Sequence, residues 1–332
     1  MTGAHRVLAA DIGGTKIRMA IISPEAGRLR IHWESMMPST PEFSLEEIVI
    51  KALPARLRRG LPAVFAVAGP VRRGQAKLTN LPWEISADHL ERTLELEKLE
   101  LINDVEAMAC SLPEKPDLPE LKSGKALSCG HRAVLSLGTG LGEGGAVYAE
   151  GRHHPWAGEG GHCDWAPNGE LEWELHRFLS AESSLEHLSR ERILSGAGLV
   201  GIARFFARKE GREDVFPPGG PPEDPAATVH RAARDKTDPA CEKALDLFVR
   251  LLGAEAGNLA LATGATGGLF IGGGMAVKLH HALRKDTFRE AFLAKGRMRD
   301  FLKDIPVMLL PDEKAPLLGA ARHALSFSTS PT

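Results

Sequence analysis

The chain has 332 residues, 43% of them hydrophobic and 25% charged, with a formal net charge of -2 at pH 7. That length exceeds one ordinary core and predicts two lobes, while the near-neutral charge and single tyrosine offer neither a polybasic face nor an aromatic platform for nucleic acid. Cys110, Cys129, Cys163 and Cys241 lie far apart without a Cys-x-x-Cys pair, which argues against a zinc site or a disulfide framework and for reduced thiols in a cytoplasm.

No run reaches the roughly 18 apolar residues of a membrane span, and the first residues lack the long apolar core of a secretory signal. In chain order, Val7–Ala10 reads as a strand, Asp11-Ile12-Gly13-Gly14-Thr15 as a glycine turn, and Lys16–Ile22 as a second strand. Ser44-Leu45-Glu46-Glu47 has capping-box form and leads into a helix predicted over Ile48–Leu57. Ala63–Ala68 is a buried strand closed by Gly69-Pro70, and Leu99–Ile102 is another, handing over at Asn103-Asp104 to a helix that begins Val105-Glu106-Ala107-Met108. Such alternation predicts an α/β protein, whose chemistry gathers at strand ends.

Pro113–Pro119 is a proline-rich connector, and the expected lobes are residues 1–112 with about 310–326, and residues 113–309. The second lobe repeats the opening pattern: the strand Ala133–Leu137, the turn Gly138-Thr139-Gly140-Leu141-Gly142, and the strand Gly145–Ala149. Phe216–Pro225 reads as an exposed proline-rich loop, Ala240–Ala262 as one long amphipathic helix, and Leu269–Ile271 as a strand ending in Gly272-Gly273-Gly274. Ala315–Leu325 is predicted helical, and the tail Ser326–Thr332 frayed.

Two strand, glycine turn, strand units suggest a nucleotide gripped from both lobes. Glycine lets amide N–H groups converge on phosphate oxygens, and Thr15 and Thr139 each add a hydroxyl. Ordinary hairpin turns are the plain alternative. Gly140–Gly145 also spells Gly-x-Gly-x-x-Gly, but a dinucleotide fingerprint needs a helix at its end, whereas Ala146–Ala149 continues as a strand; a Walker A loop is absent. Asn103-Asp104 alone would be a helix cap, yet beside a phosphate donor Asp104 can accept the proton of an attacking hydroxyl. Gly158-Glu159-Gly160-Gly161-His162-Cys163-Asp164 places a carboxylate and an imidazole among glycines, and Glu191 precedes the small-residue turn Ser195-Gly196-Ala197-Gly198, although by itself it reads as a surface helix residue.

Taken together, Ala10–Thr15, Ile102-Asn103-Asp104, Leu137–Gly142, Gly158–Asn168 and Glu191–Gly196, with Phe270–Gly274 and Leu317–Ala321, resemble the bacterial glucokinase family over nearly the whole chain. These are hexose kinases of the superfamily that includes sugar kinases, actin and Hsp70-type chaperones. The resemblance implies an actin-like ATPase fold of two ribonuclease-H-like lobes, with a nucleotide and sugar cleft between them that closes on sugar. It implies ATP-dependent phosphorylation of glucose at the 6-hydroxyl, with Asp104 as general base, Asn103, Glu159, His162 and Glu191 on the sugar hydroxyls, and Ala10, Asp11, Ile12, Gly13, Gly14, Thr15, Gly138, Thr139, Gly140, Gly272, Gly273 and Gly274 around ATP. Asp11 would act on the accompanying Mg²⁺ through water. A cytoplasmic homodimer is implied as well.

The related ROK group carries a cysteine-rich zinc motif where this chain reads Cys163-Asp164-Trp165-Ala166-Pro167-Asn168, so the zinc-free branch is favoured and no zinc is expected. Phe216–Pro225 and His153-His154-Pro155-Trp156 match nothing diagnostic. Other hexoses, such as mannose, fructose or an N-acetylated amino sugar, stay open as substrates. A sugar-responsive regulator is disfavoured because Asp11 lies too near the start for a helix-turn-helix to precede it, and a dehydrogenase would need the discounted fingerprint.

Overall fold

In the computed structural model, which describes residues 6–78, 81–113, 117–183, 187–216 and 224–328, the first strands are β1 (Val7–Ile12) and β2 (Lys16–Glu25). They pair antiparallel with Ile12 opposite Ile17, and β3 (Arg28–Pro38) adds to the outer edge of β2. Along β3 exposed positions alternate with half-buried ones, as in an edge strand with one face to water. On the other side β4 (Pro62–Val67) runs parallel to β1. The short strands β5 (Val71–Arg72), β6 (Gln75–Lys77) and β7 (Glu84–Ser86) make a small separate antiparallel sheet, and β8 (Lys98–Asn103) completes the main one in the order β3-β2-β1-β4-β8.

β1 reads as an unbroken apolar run because both faces are covered. Leu8, Ala10 and Ile12 join one core cluster with Phe65, Val49 and Leu90, and Val7 and Ala9 join another with Ile102, Leu317 and Ala321. Each fully buried side chain of this size contributes about 1.5–3 kcal/mol, and Phe65 is 0% exposed. The helix predicted over Ile48–Leu57 is instead two, Leu45–Ala52 and Ala55–Arg58, because Pro54 lacks an N–H and disfavours helical backbone at Leu53. Ser44 does form the capping box with Glu47. The carboxy-terminal helix extends beyond its predicted end, over Ala315–Ser328, so Ser326 is helical rather than frayed.

The chain divides into two compact units, Met1–Pro116 with Pro155–Ala157 and Lys314–Thr332, and Asp117–His154 with Gly158–Glu313. The sheet of the second contains β9 (Glu120–Lys122), β10 (Arg132–Leu137), β11 (Leu141–Ala149), β12 (Arg152–Gly158), β13 (Leu269–Gly272) and β14 (Val307–Leu309). Their order is β12-β11-β10-β13-β14-β9, with β10, β13 and β14 parallel and β11 antiparallel to β10. The first five repeat the first unit's order, an antiparallel hairpin beside parallel strands, which is the ribonuclease-H-like arrangement.

The long predicted helix spans Pro239–Thr263, started by the Asp238 side chain and stopped by left-handed Gly264. Residues 217–223 of the proline-rich loop, 114–116 of the connector and 329–332 of the tail lie outside the described residues.

Candidate active site

In the first unit, Gly13, Gly14 and Thr15 close the β1–β2 hairpin, with the Gly13 N–H donating to the Lys16 carbonyl at 3.0 Å. Ser39 fastens this turn from β3's end: its hydroxyl donates to the Gly13 carbonyl at 2.7 Å and its N–H to the Thr15 carbonyl at 3.0 Å. The carbonyls are thereby turned toward Ser39. The N–H groups of Gly14 and Thr15 have no partner among the described residues, as a phosphate-binding turn requires.

Asp11 precedes the turn, opposite Arg18 on β2. Burial pushes its carboxyl up to about 6, against the opposing pull of Arg18 and Lys16. A buried anion of this kind is relieved by a cation, and Mg²⁺ typically takes one or two carboxylates with water and phosphate for the rest, so Asp11 fits the role of a Mg²⁺ partner. Among the described residues no group of three or more His, Cys, Asp or Glu could hold a metal ion.

Asn103 and Asp104 stand on the same sheet edge as that turn. Ile12, Val67 and Asn103 form one row across β1, β4 and β8, and strands about 4.8 Å apart set the ends of the row about 10 Å from each other. All three lie at carboxyl ends of parallel strands, where open α/β sheets bind ligands. Asn103 is also the cap of the helix Asp104–Cys110: its Oδ1 accepts the Val105 N–H at 2.8 Å and its Nδ2 donates to the Gly69 carbonyl at 3.0 Å. The Val105 N–H is shared with Asp104 Oδ1 at 3.0 Å. The capping role and a functional one therefore coexist, since an amide has four hydrogen-bonding positions and two are used.

In the second unit, Gly138, Thr139 and Gly140 close the β10–β11 hairpin, with Leu137 opposite Leu141. The chain does continue as a strand through Gly145, which removes the dinucleotide reading. The glycines that end and follow β13 join this turn at one edge, because Gly272 pairs beside Ser136 and Gly273 lies against the Leu137 carbonyl.

Leu141 gathers the sugar-side candidates. Its N–H donates to Glu191 Oε2 at 3.0 Å, and the backbone of Gly161 rests against its carbonyl. Glu191 is thus aimed inward from the short helix Arg190–Ile193, contrary to its plain reading as a surface residue, and a Cβ at Gly140 would overlap its carboxylate. Gly160–His162 is a single turn that brings Glu159 Oε2 and His162 Nε2 within 3.8 Å, both side chains more than half exposed. Residues 187–190 hold that turn: the Arg190 N–H donates to the Cys163 carbonyl, the Trp165 N–H to the Leu188 carbonyl, each at 3.0 Å, and His187 Nε2 bonds the His162 carbonyl at 3.1 Å.

The second unit also contains functional candidates that sequence reasoning missed. Glu143 on β11 and Glu255 on the long helix are 4% and 5% exposed, and both meet the Arg190 guanidinium. The signal was available for Glu255, which stands on the apolar stripe of its helix, three residues after Leu252 and four before Leu259.

A family model described as Glucokinase matches residues 8–326. The glucokinase of Nostoc sp. (strain PCC 7120) is 36% identical, the match covering 95% of this chain and 97% of that protein. The chain belongs to the glucokinase family. Among solved structures, a glucokinase from an Antarctic psychrotroph has a TM-score of 0.81 at 32% identity, covering 97% of this chain and 99% of its own. A ROK family glucokinase from Streptomyces griseus, solved with glucose and AMPPNP, has a TM-score of 0.63 at 23% identity, covering 97% and 99%, a likeness that carries the fold alone. The fold of this glucokinase-family chain is the actin-like ATPase fold, an α/β architecture built on the doubled sheet order.

Proposed function

We propose that the chain transfers the γ-phosphoryl group of ATP to the 6-hydroxyl of glucose, giving glucose 6-phosphate, with Asp104 as general base. The observation that carries this reading is the row Ile12, Val67, Asn103, which puts the residue before the glycine turn and the residue before Asp104 at one sheet edge, about 10 Å apart. Such a span leaves room for a sugar hydroxyl and a terminal phosphate between the turn and Asp104. Oxygen 6 of glucose attacks the γ-phosphorus, Asp104 takes the hydroxyl proton, and the bond from the γ-phosphorus to its bridging oxygen breaks as ADP leaves.

Little covalent work falls to the protein in such a transfer, so positioning and charge decide the rate. Gly14 and Thr15, with Thr139 and Gly140, present N–H and hydroxyl donors to the phosphates, Gly13 and Gly138 shape the two turns with N–H groups held by the Lys16 and Gly140 carbonyls, and Gly272, Gly273 and Gly274 serve the adenosine side. Ala10 and Ile12 hold the strand end from which Asp11 projects. Asp11 would hold Mg²⁺ through water, and the cation would neutralise charge on the triphosphate during transfer. Glu159, His162 and Glu191 accept hydrogen bonds from the other sugar hydroxyls, and Asn103 serves a hydroxyl next to the reacting one.

Among the described residues no helix is long and apolar enough to cross a membrane. The reading includes action in the cytoplasm as a homodimer. A coupled assay across glucose, mannose, fructose and N-acetylglucosamine, each with several phosphoryl donors, tests the proposal. Glucose with ATP should give the highest kcat/KM; absence of phosphorylation for every sugar would sink it.

A further inference from the structure

Glu143 and Glu255, both buried, and the partly exposed Arg190 form a trio in the second unit that the reaction itself does not use. Arg190 Nη1 lies 3.4 Å from Glu143 Oε2 and 2.9 Å from Glu255 Oε1, the latter only as an ion-pair contact. Glu143 Oε1 and Glu255 Oε1 have no hydrogen-bond partner among the described residues. Two buried carboxylates around one guanidinium leave an excess negative charge, and an unpaired buried oxygen such as Glu143 Oε1 costs about 1–3 kcal/mol. One proton held by the pair removes the excess charge, the two carboxylates being drawn together on the same Arg190 nitrogen.

The trio lies directly under the sugar-side candidates. A Cβ at Gly160 would overlap Glu143 Oε2, so the carboxylate is seated against the turn that carries Glu159 and His162. Arg190 bonds that turn through its N–H and immediately precedes Glu191 in the same short helix. From the remaining sides, Asn258 Nδ2 donates to Glu255 Oε2 at 3.1 Å, and Lys295 Nζ donates to Asn258 Oδ1 at 2.6 Å. Lys295 also feels Glu172, which pairs with Arg250 at 3.1 Å.

We propose that Glu143 and Glu255 share one proton around Arg190, and that the trio is a positioning device which sets Glu191 and the Glu159–His162 turn for glucose. This device depends on the sugar-side roles proposed for those residues. Burial, then the neighbouring Glu255 charge, push the Glu143 carboxyl up to about 7, and burial raises Glu255 as well. The proton is therefore present in mildly acidic solution and lost as pH rises through about 7. Loss leaves two like charges competing for Arg190, and the turn and Glu191 lose their common anchor.

The test is the Kd for glucose, measured by calorimetry between pH 6 and pH 8.5, in the unaltered protein and in Glu143→Gln, whose amide reproduces the proton-bearing form. The unaltered protein should weaken by about fivefold or more across this range, linkage to one proton allowing at most tenfold per pH unit. Glu143→Gln should stay within about twofold. Contributions from His162 and Glu191 are common to both, so the difference isolates the trio. A flat profile in the unaltered protein overturns the proposal whether or not the variant folds, as do parallel profiles in the two proteins. Arg190→Lys, which keeps the charge but not the planar fork, should raise KM for glucose by roughly tenfold while KM for ATP holds; equal changes in both constants count against a positioning role. Failure of the unaltered protein to phosphorylate any sugar is a separate result, and refutes the proposed function instead.

Discussion

Replacing Asp104 by asparagine removes a charge and a proton acceptor while keeping the side chain's volume and an oxygen that can face Val105. The structure lets the effects on folding and catalysis be separated. The Val105 N–H is bonded at 2.8 Å by Asn103 Oδ1 as well as at 3.0 Å by Asp104 Oδ1, so the helix Asp104–Cys110 keeps its cap. What is lost is a carboxylate near a helix start, about 0.3–1 kcal/mol, and Tm should fall by no more than about 4 °C. Loss of a general base costs about 10²–10⁴ in rate, roughly 2.7–5.4 kcal/mol of transition-state stabilisation. Steady-state kinetics of Asp104→Asn with glucose and ATP, alongside a thermal melt, should give a kcat lowered by at least about a hundredfold and a nearly unchanged KM for ATP. A kcat within about tenfold of the unaltered protein would refute the base assignment, and a collapse of Tm would refute the claim that Asn103 carries the cap.

Glu191→Ala leaves the Leu141 N–H unpaired and removes a charged acceptor worth about 1.5–3 kcal/mol, so KM for glucose should rise by roughly 10–100-fold, and an unaltered KM would exclude Glu191 from the sugar side. Gly140→Ala puts a methyl group onto the same carboxylate and should mimic that change, with the double variant no worse than either single one; additive losses would count against a shared cause. Asp11 behaves oppositely to a salt-bridged carboxylate. Its folded pKa of about 6 lies above the ordinary aspartate value of 3.8, so the folded state holds more protons than the unfolded one between those values, and stability falls as pH rises through the window. Asp11→Asn should stabilise the ligand-free protein at pH 7 by at most about 3 kcal/mol and hardly at all near pH 3.5, while weakening turnover with Mg²⁺ and ATP. A melt showing destabilisation at pH 7 would contradict this.

Features governed by neighbours along the chain are legible in the sequence itself. The Ser44 capping box, the Asp238-to-Gly264 helix and both glycine turns depend on residues a few positions apart, so local pattern suffices. The continuation of Gly145–Ala149 as a strand is likewise a local property, and it dismisses the dinucleotide fingerprint correctly. The break at Pro54 is local too, and the apolar spacing across Ile48–Leu57 masks it. The edge strand β3 has a readable two-residue alternation of exposure that matches Leu29, Ile31 and Trp33.

Tertiary structure alone decides which of these pieces meet. Asn103 shares a row with Ile12 because two parallel pairings intervene, and no local pattern encodes strand order. Glu191 in isolation is a charged residue near a helix start, and only its bond to Leu141, fifty residues earlier, turns it inward. The same holds for Arg190, which looks like a solvated cation until Glu143 and Glu255 close around it. The sequence by itself thus determined the turns, caps and periodic faces, because those energies are set within a few residues. Burial and charge pairing across long separations, which aim a side chain and shift its proton, belong to the folded chain.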